Sequence, residues 1–262
     1  MNKVKTIIRK EWEEVFKNKM VVSVVIFLPL IFTAMMIGFL YMFETMGAAE
    51  TIGSIPVEML TMCEASQSQS DCMLSYTMNQ FLIMYIFVPL IIPINIAAYS
   101  VVGEKKNHSL EPLLATPITT WELLVGKTLA AVIPAVLATY LGFFLFCVGA
   151  LIISGGCSLI LAILDLGWLV AIAVMGPLMS IMSVCFCLMV SSRVQDPRVA
   201  EQISSIIILP VLGLMFAQIA GVLVVTSSLV WLICLLILII DVIAMYFCVQ
   251  LFARETILTR WK

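Results

Sequence analysis

Six stretches of this chain, 21–43, 79–102, 124–153, 168–191, 203–225 and 229–253, are apolar runs of the length that a helix needs to cross hydrocarbon, about 20 residues. No other feature narrows the fold so far. Backbone groups placed in lipid find no water to bond, so each stretch must satisfy them within its own helix. The expected fold class is therefore an all-α integral membrane protein with six transmembrane helices. Composition agrees: 63% of the residues are hydrophobic and 11% charged, where an ordinary soluble domain has roughly 45–50% and 25%. The third stretch is overlong and is expected to tilt, or to kink at Pro134. The first apolar run begins at Met20 behind a charged segment. It exceeds the roughly 7–15 residues of a signal peptide core, so cleavage is not expected.

All 14 lysines and arginines fall at one end of these spans. Lys3, Lys5, Arg9, Lys10, Lys17 and Lys19 precede the first span, and Lys105, Lys106 and Lys127 flank the second connection. Arg193 and Arg198 lie in the fourth, and Arg254, Arg260 and Lys262 follow the last span. The opposite connections hold only acids: Glu44, Glu50, Glu58, Glu64, Asp71 and Asp165. Basic residues near span ends are retained in the cytoplasm, so a multi-pass protein of the cell membrane with both termini cytoplasmic is expected. The formal net charge of -2 hides this separation, and no nucleic-acid partner is expected.

Residues 1–20 place Val4, Ile7, Ile8, Trp12, Val15 and Phe16 on one helical stripe among lysines and glutamates. That pattern predicts an amphipathic helix lying in the membrane interface, the plain alternative being a helix docked on another protein. Residues 21–253 form the six-helix transmembrane domain, and 254–262 a cytoplasmic tail. The external loop, 44–78, carries Cys63 and Cys72, which fit either a disulfide-closed loop or two free thiols. Met59, Met62, Met73 and Met78 beside these cysteines invite a soft-metal reading. In so hydrophobic a chain they read more simply as apolar loop residues, and no metal is assigned.

Pro89, Pro93, Pro134, Pro177 and Pro210 fall within spans, where each frees a backbone carbonyl that neighbouring helices must satisfy. Asp241 is the one ionisable group deep in a span, and an ionised Asp at a helix centre costs about 2.5–3.5 kcal/mol on insertion scales. Two readings stand open: a role in ion or substrate passage, or a neutral acid bonded to Gln218 or Asn95.

The second connection, 103–123, is the longest polar interruption on the basic side. Ser109 can cap a short helix with Glu111 and Pro112 in its first turn, and Pro117 stops it. Thr119 and Glu122 form a capping box that starts the next helix. Gly126, Lys127 and Thr128 look like the end of a phosphate-binding loop, but Trp121 stands where glycine is required. Lys127 reads instead as an interfacial anchor. With His108 the sole histidine, no zinc motif and no catalytic constellation is present, and an enzyme is not expected. Cys185 and Cys187 read as buried thiols.

LEPLLATPITTWELLVGKTLAA resembles the cytoplasmic segment of ABC type-2 permeases, the membrane subunits of exporters driven by a separate ATPase. RKEWEEVFKNK, SSRVQDPRVAEQISSIIILP and RETILTRWK are similar to that family in the same order. The resemblance implies a permease dimer on an ATPase dimer, with no cofactor in this chain and ATP and Mg in the partner. It also implies a coupling helix at 107–117, so that Glu104, Asn107, Leu110, Glu111, Leu113, Leu114, Thr116 and Pro117 form the ATPase-coupling interface. The mechanism implied is outward transport by alternating access. The external loop is small beside those of relatives with a large external domain. Two other classes stand beside this reading: a secondary transporter using Asp241 for ion coupling, and a non-transporting membrane assembly protein.

Overall fold

The computed structural model of the chain describes residues 2–46, 80–81, 83–106, 119–154, 166–220 and 227–251. Among these, six helices are long and apolar enough to cross a membrane: Lys19–Thr45, Ile83–Glu104, Thr120–Ile153, Trp168–Ser191, Pro197–Ile219 and Leu229–Leu251. They are called spans one to six below. No strand is present among the described residues. The chain is an all-α, multi-pass membrane protein, as the apolar runs require. Cys63, Cys72 and the neighbouring methionines lie outside the described residues, as do residues 107–118.

Span two is the central helix, enclosed by spans one, three and four. Its Leu90, Ile92, Ile94 and Ala98 are buried. Spans one, three and six turn Phe27, Leu141, Phe144, Leu232 and Val242 outward. In water such a surface would be a gross exposed patch, whereas in a bilayer it meets a solvent of its own polarity.

The prolines show how the bundle is joined. A proline has no N–H, so the carbonyl four residues earlier loses its helical donor. Pro134 frees the Ala130 carbonyl, which accepts from Trp12 Nε1 at 2.9 Å. Pro93 frees the Pro89 carbonyl, which accepts from Ser180 Oγ at 2.9 Å. Pro177 frees the Ala173 carbonyl, which accepts from Tyr140 Oη at 3.1 Å. Each donor comes from a different helix, so each break in one ladder becomes a bond between two elements. Pro210 is handled within its own span. A 3₁₀ turn, Ser205–Ile208, precedes it, and Leu209 N donates to Ile206 O, the carbonyl that Pro210 would otherwise strand. Close approach helps elsewhere too: a Cβ at Gly142 would lie 2.1 Å from Tyr85 Oη, whose hydroxyl donates to Thr139 O at 3.0 Å.

One expectation is revised. Span five begins at Pro197 rather than Ile203, because Asp196 caps it by accepting from Arg198 N at 2.9 Å, with Pro197 in the first turn. Most of the charged string expected as a connection is therefore helix. The N-terminal helix spans Asn2–Val15, with Val4, Ile8 and Trp12 of its stripe half-buried. Ile7, Glu11 and Val15 are buried against spans two and three of the same chain. Phe16, expected on the stripe, stays outside at 38% exposure.

Candidate functional site: the root of the 107–118 loop

The loop leaves span two just after Glu104 and re-enters helix at Thr120. Its exit is built by the expected capping box: Thr119 N donates to Glu122 Oε2 at 2.9 Å, and Glu122 N donates to Thr119 Oγ1 at 3.2 Å. Two orphan N–H groups at the start of span three are thereby satisfied. Lys3 of the N-terminal helix lies 3.7 Å from the same Glu122.

Behind the loop lies a cluster of charges that three elements assemble. Glu11 sits four residues from both Ile7 and Val15, on the buried face of the N-terminal helix. Ser100 and Glu104 share a face of span two by the same spacing. Lys127 stands about two turns into span three, which starts at Thr120. Its Nζ lies 2.7 Å from Glu11 Oε1, 2.8 Å from Glu104 Oε2 and 2.9 Å from Ser100 Oγ. Ser100 Oγ in turn donates to Glu11 Oε2, and Lys10 Nζ donates to Glu104 Oε1. The side chains of Lys127, Glu11 and Glu104 are 2%, 3% and 2% exposed. With two lysines and two glutamates the cluster is neutral, and each buried charge meets an opposite one. That is the condition under which charge can be tolerated away from water.

Gly126 explains how the helices come so close. A Cβ there would stand 2.8 Å from Ile7 Cγ2, so only glycine lets the N-terminal helix approach near enough for Glu11 to reach Lys127. Trp12 then adds its bond to the Ala130 carbonyl one turn further along span three. The Gly-Lys-Thr string is thus helical and internal, within Thr120–Ser154. Lys127 is not the interfacial anchor expected of it, because two carboxylates hold it inside the protein.

Of the expected coupling residues, Asn107, Leu110, Glu111, Leu113, Leu114, Thr116 and Pro117 lie outside the described residues. Glu104 is described, and its carboxylate turns inward to Lys10 and Lys127. The intramembrane polar residues are each buried: Asn95 at 2%, Gln218 at 3% and Asp241 at 6% exposure. Asn95 Nδ2 donates to Ile91 O at 3.1 Å, and the Glu201 carboxylate is its side-chain neighbour. Asp241 lies on the face of span six that packs chiefly on span four, near the Cys185 thiol. Both its carboxyl oxygens lack a hydrogen-bond partner among the described residues. A bond from Asp241 to Gln218 or Asn95 is therefore not formed.

Six helices able to cross a membrane, with a charged cluster buried at one end, define a multi-pass membrane protein. Residues 5–246 match the sequence model of the family described as ABC-2 family transporter protein, and the chain belongs to that family. It is an ABC-type permease subunit. No curated protein matches the chain as a relative. Sequence reasoning missed Glu11, Ser100 and Lys10. The available signal was an acid at position 11 in register with Ile7 and Val15 on a helix otherwise apolar along that line.

Proposed function

We propose that this chain is the permease of an exporter powered by a separate ABC ATPase, its basic end facing the cytoplasm and a second permease copy completing the pore. The observation that carries the reading is the family match over residues 5–246. The loop at 107–118 fits the role of ATPase contact. It lies at the end of the bundle where the basic residues gather, and both its roots are anchored in one buried cluster. ATP binding closes the partner subunits, the 107–118 segments are displaced, and the spans rearrange so that cargo is released outward. Nucleotide drives this only by binding one arrangement better than the other. ATP and Mg belong to the partner, and this chain supplies no nucleotide site.

The test is co-purification. Tagged permease should bring down an ATPase subunit, and Glu111→Lys with Leu114→Asp should abolish that capture while the bundle still folds. If the doubly substituted chain captures and stimulates its ATPase as wild type does, the assignment of the 107–117 segment falls.

A further inference from the structure

We infer that Lys127 is a positioning residue for coupling: it ties the N-terminal helix to both roots of the 107–118 loop, so that this helix, the basic end of span two and the start of span three move as one lever. The inference deepens the permease reading and rests on it for the source of the motion.

An ammonium group has three N–H donors and no acceptor. At Lys127 three acceptors surround it, Glu11 Oε1, Glu104 Oε2 and Ser100 Oγ, at 2.7, 2.8 and 2.9 Å. One comes from the N-terminal helix and two from span two, while Lys127 itself belongs to span three. Ser100 closes the ring by accepting from Lys127 and donating to Glu11. Lys10 ties Glu104 back to the N-terminal helix a second time. Neither Glu11 nor Lys127 can shift alone without leaving a buried charge unmatched, which is far more costly than moving the set together. Surface ion pairs offer no such constraint, because water replaces either partner.

Two further contacts point the same way. The Ile7 side chain fills the space left by Gly126, and Trp12 holds the Ala130 carbonyl. Residues 7, 11 and 12 of one helix thus meet residues 126, 127 and 130 of the other, so the N-terminal helix lies along the first turns of span three. A push on the loop roots is delivered to that helix at the membrane surface. The helix is accordingly a moving part of the permease, where an interfacial float would be uncoupled from the loop.

The experiment uses the full-length permease with its co-purified ATPase, and reads backbone hydrogen exchange with ATP and vanadate as the probe. In the absence of nucleotide, Lys127→Met should speed exchange across residues 2–15 by at least about tenfold, as expected when a docked element opens locally. Span two should keep its protection, and Lys127→Arg should restore the helix. Glu104→Gln, which keeps the shape and cancels one charge, provides a second variant should Lys127→Met fold poorly. On adding ATP and vanadate, protection in wild type should change together at residues 2–15, 100–106 and 119–127. In Lys127→Met the loop roots should respond and residues 2–15 should not. Unchanged exchange of residues 2–15 in both Lys127→Met and Glu104→Gln without nucleotide overturns the tie. A response of residues 2–15 to nucleotide that survives Lys127→Met overturns the lever. Failure of the permease reading looks different: no ATPase co-purifies, or wild-type loop roots ignore nucleotide, and the nucleotide-free comparison still decides the tie.

Discussion

At the basic end three carboxylate and ammonium groups are almost fully buried and each is matched, whereas in span six one buried carboxyl has no hydrogen-bond partner among the described residues. The two regions answer the same physical problem in opposite ways. Glu11 and Glu104 are removed from water only because Lys127 goes with them, with part-exposed Lys10 beside Glu104, and three helices are fixed by the exchange. Asp241 fixes nothing: no bond from it holds span six to span four. A matched buried charge is a joint, and an unmatched one is held in place by the packing around it. The comparison sorts the polar residues of the chain by what their removal should do.

The largest effect is expected at the joint. Lys127→Met leaves the buried Glu11 carboxylate without its cation and Glu104 with Lys10 alone, and breaking a buried pair from one side costs about 3–5 kcal/mol. Thermal unfolding of the purified permease should show it as a large drop in Tm, with Lys127→Arg close to wild type. Gly126→Val probes the same junction without touching a charge. Its new side chain meets Ile7 and should destabilise by about 1–3 kcal/mol through overpacking. A loss as large as that of Lys127→Met would mean that packing rather than charge holds the helix.

Trp12→Phe removes only a neutral donor from the Ala130 carbonyl, a loss of about 1 kcal/mol. In a double-mutant cycle that loss should shrink when Pro134→Ala returns the helical N–H to the same carbonyl. Additive effects would show that the Trp12 bond does not compensate for the proline. Smallest of all is Asp241→Leu. Replacing an unpartnered polar group by an apolar one of similar size is neutral or stabilising, so Tm should hold or rise. A fall comparable to that of Lys127→Met would erase the distinction between the two regions.

Much of the architecture was legible because lipid imposes a simple rule. A helix must be apolar for the width of the membrane, so the six spans, the basic end and the capping box at Thr119 could be read from runs of a few residue types. The N-terminal helix shows where that reading stops. Counting apolar residues found Ile7, Trp12 and Val15, but it set Glu11 among the solvated charges. Its partner, Lys127, lies 116 positions away, and no local pattern announces a pair at that distance. The same blindness made Lys127 an interfacial anchor. The start of span five is hidden in the sequence because a string rich in charge reads as a connection. Asp196 and Pro197, a strong helix start, were in plain view within it.

The proline joints bear on how relatives of this chain can differ. Trp12 and Pro134, Ser180 and Pro93, and Tyr140 and Pro177 are donor and cause at opposite ends of single bonds. A descendant that loses the proline no longer needs the donor, and one that loses the donor inherits a stranded carbonyl. These three pairs should therefore be gained and lost together, each recording in two distant columns of an alignment a single hydrogen bond between helices.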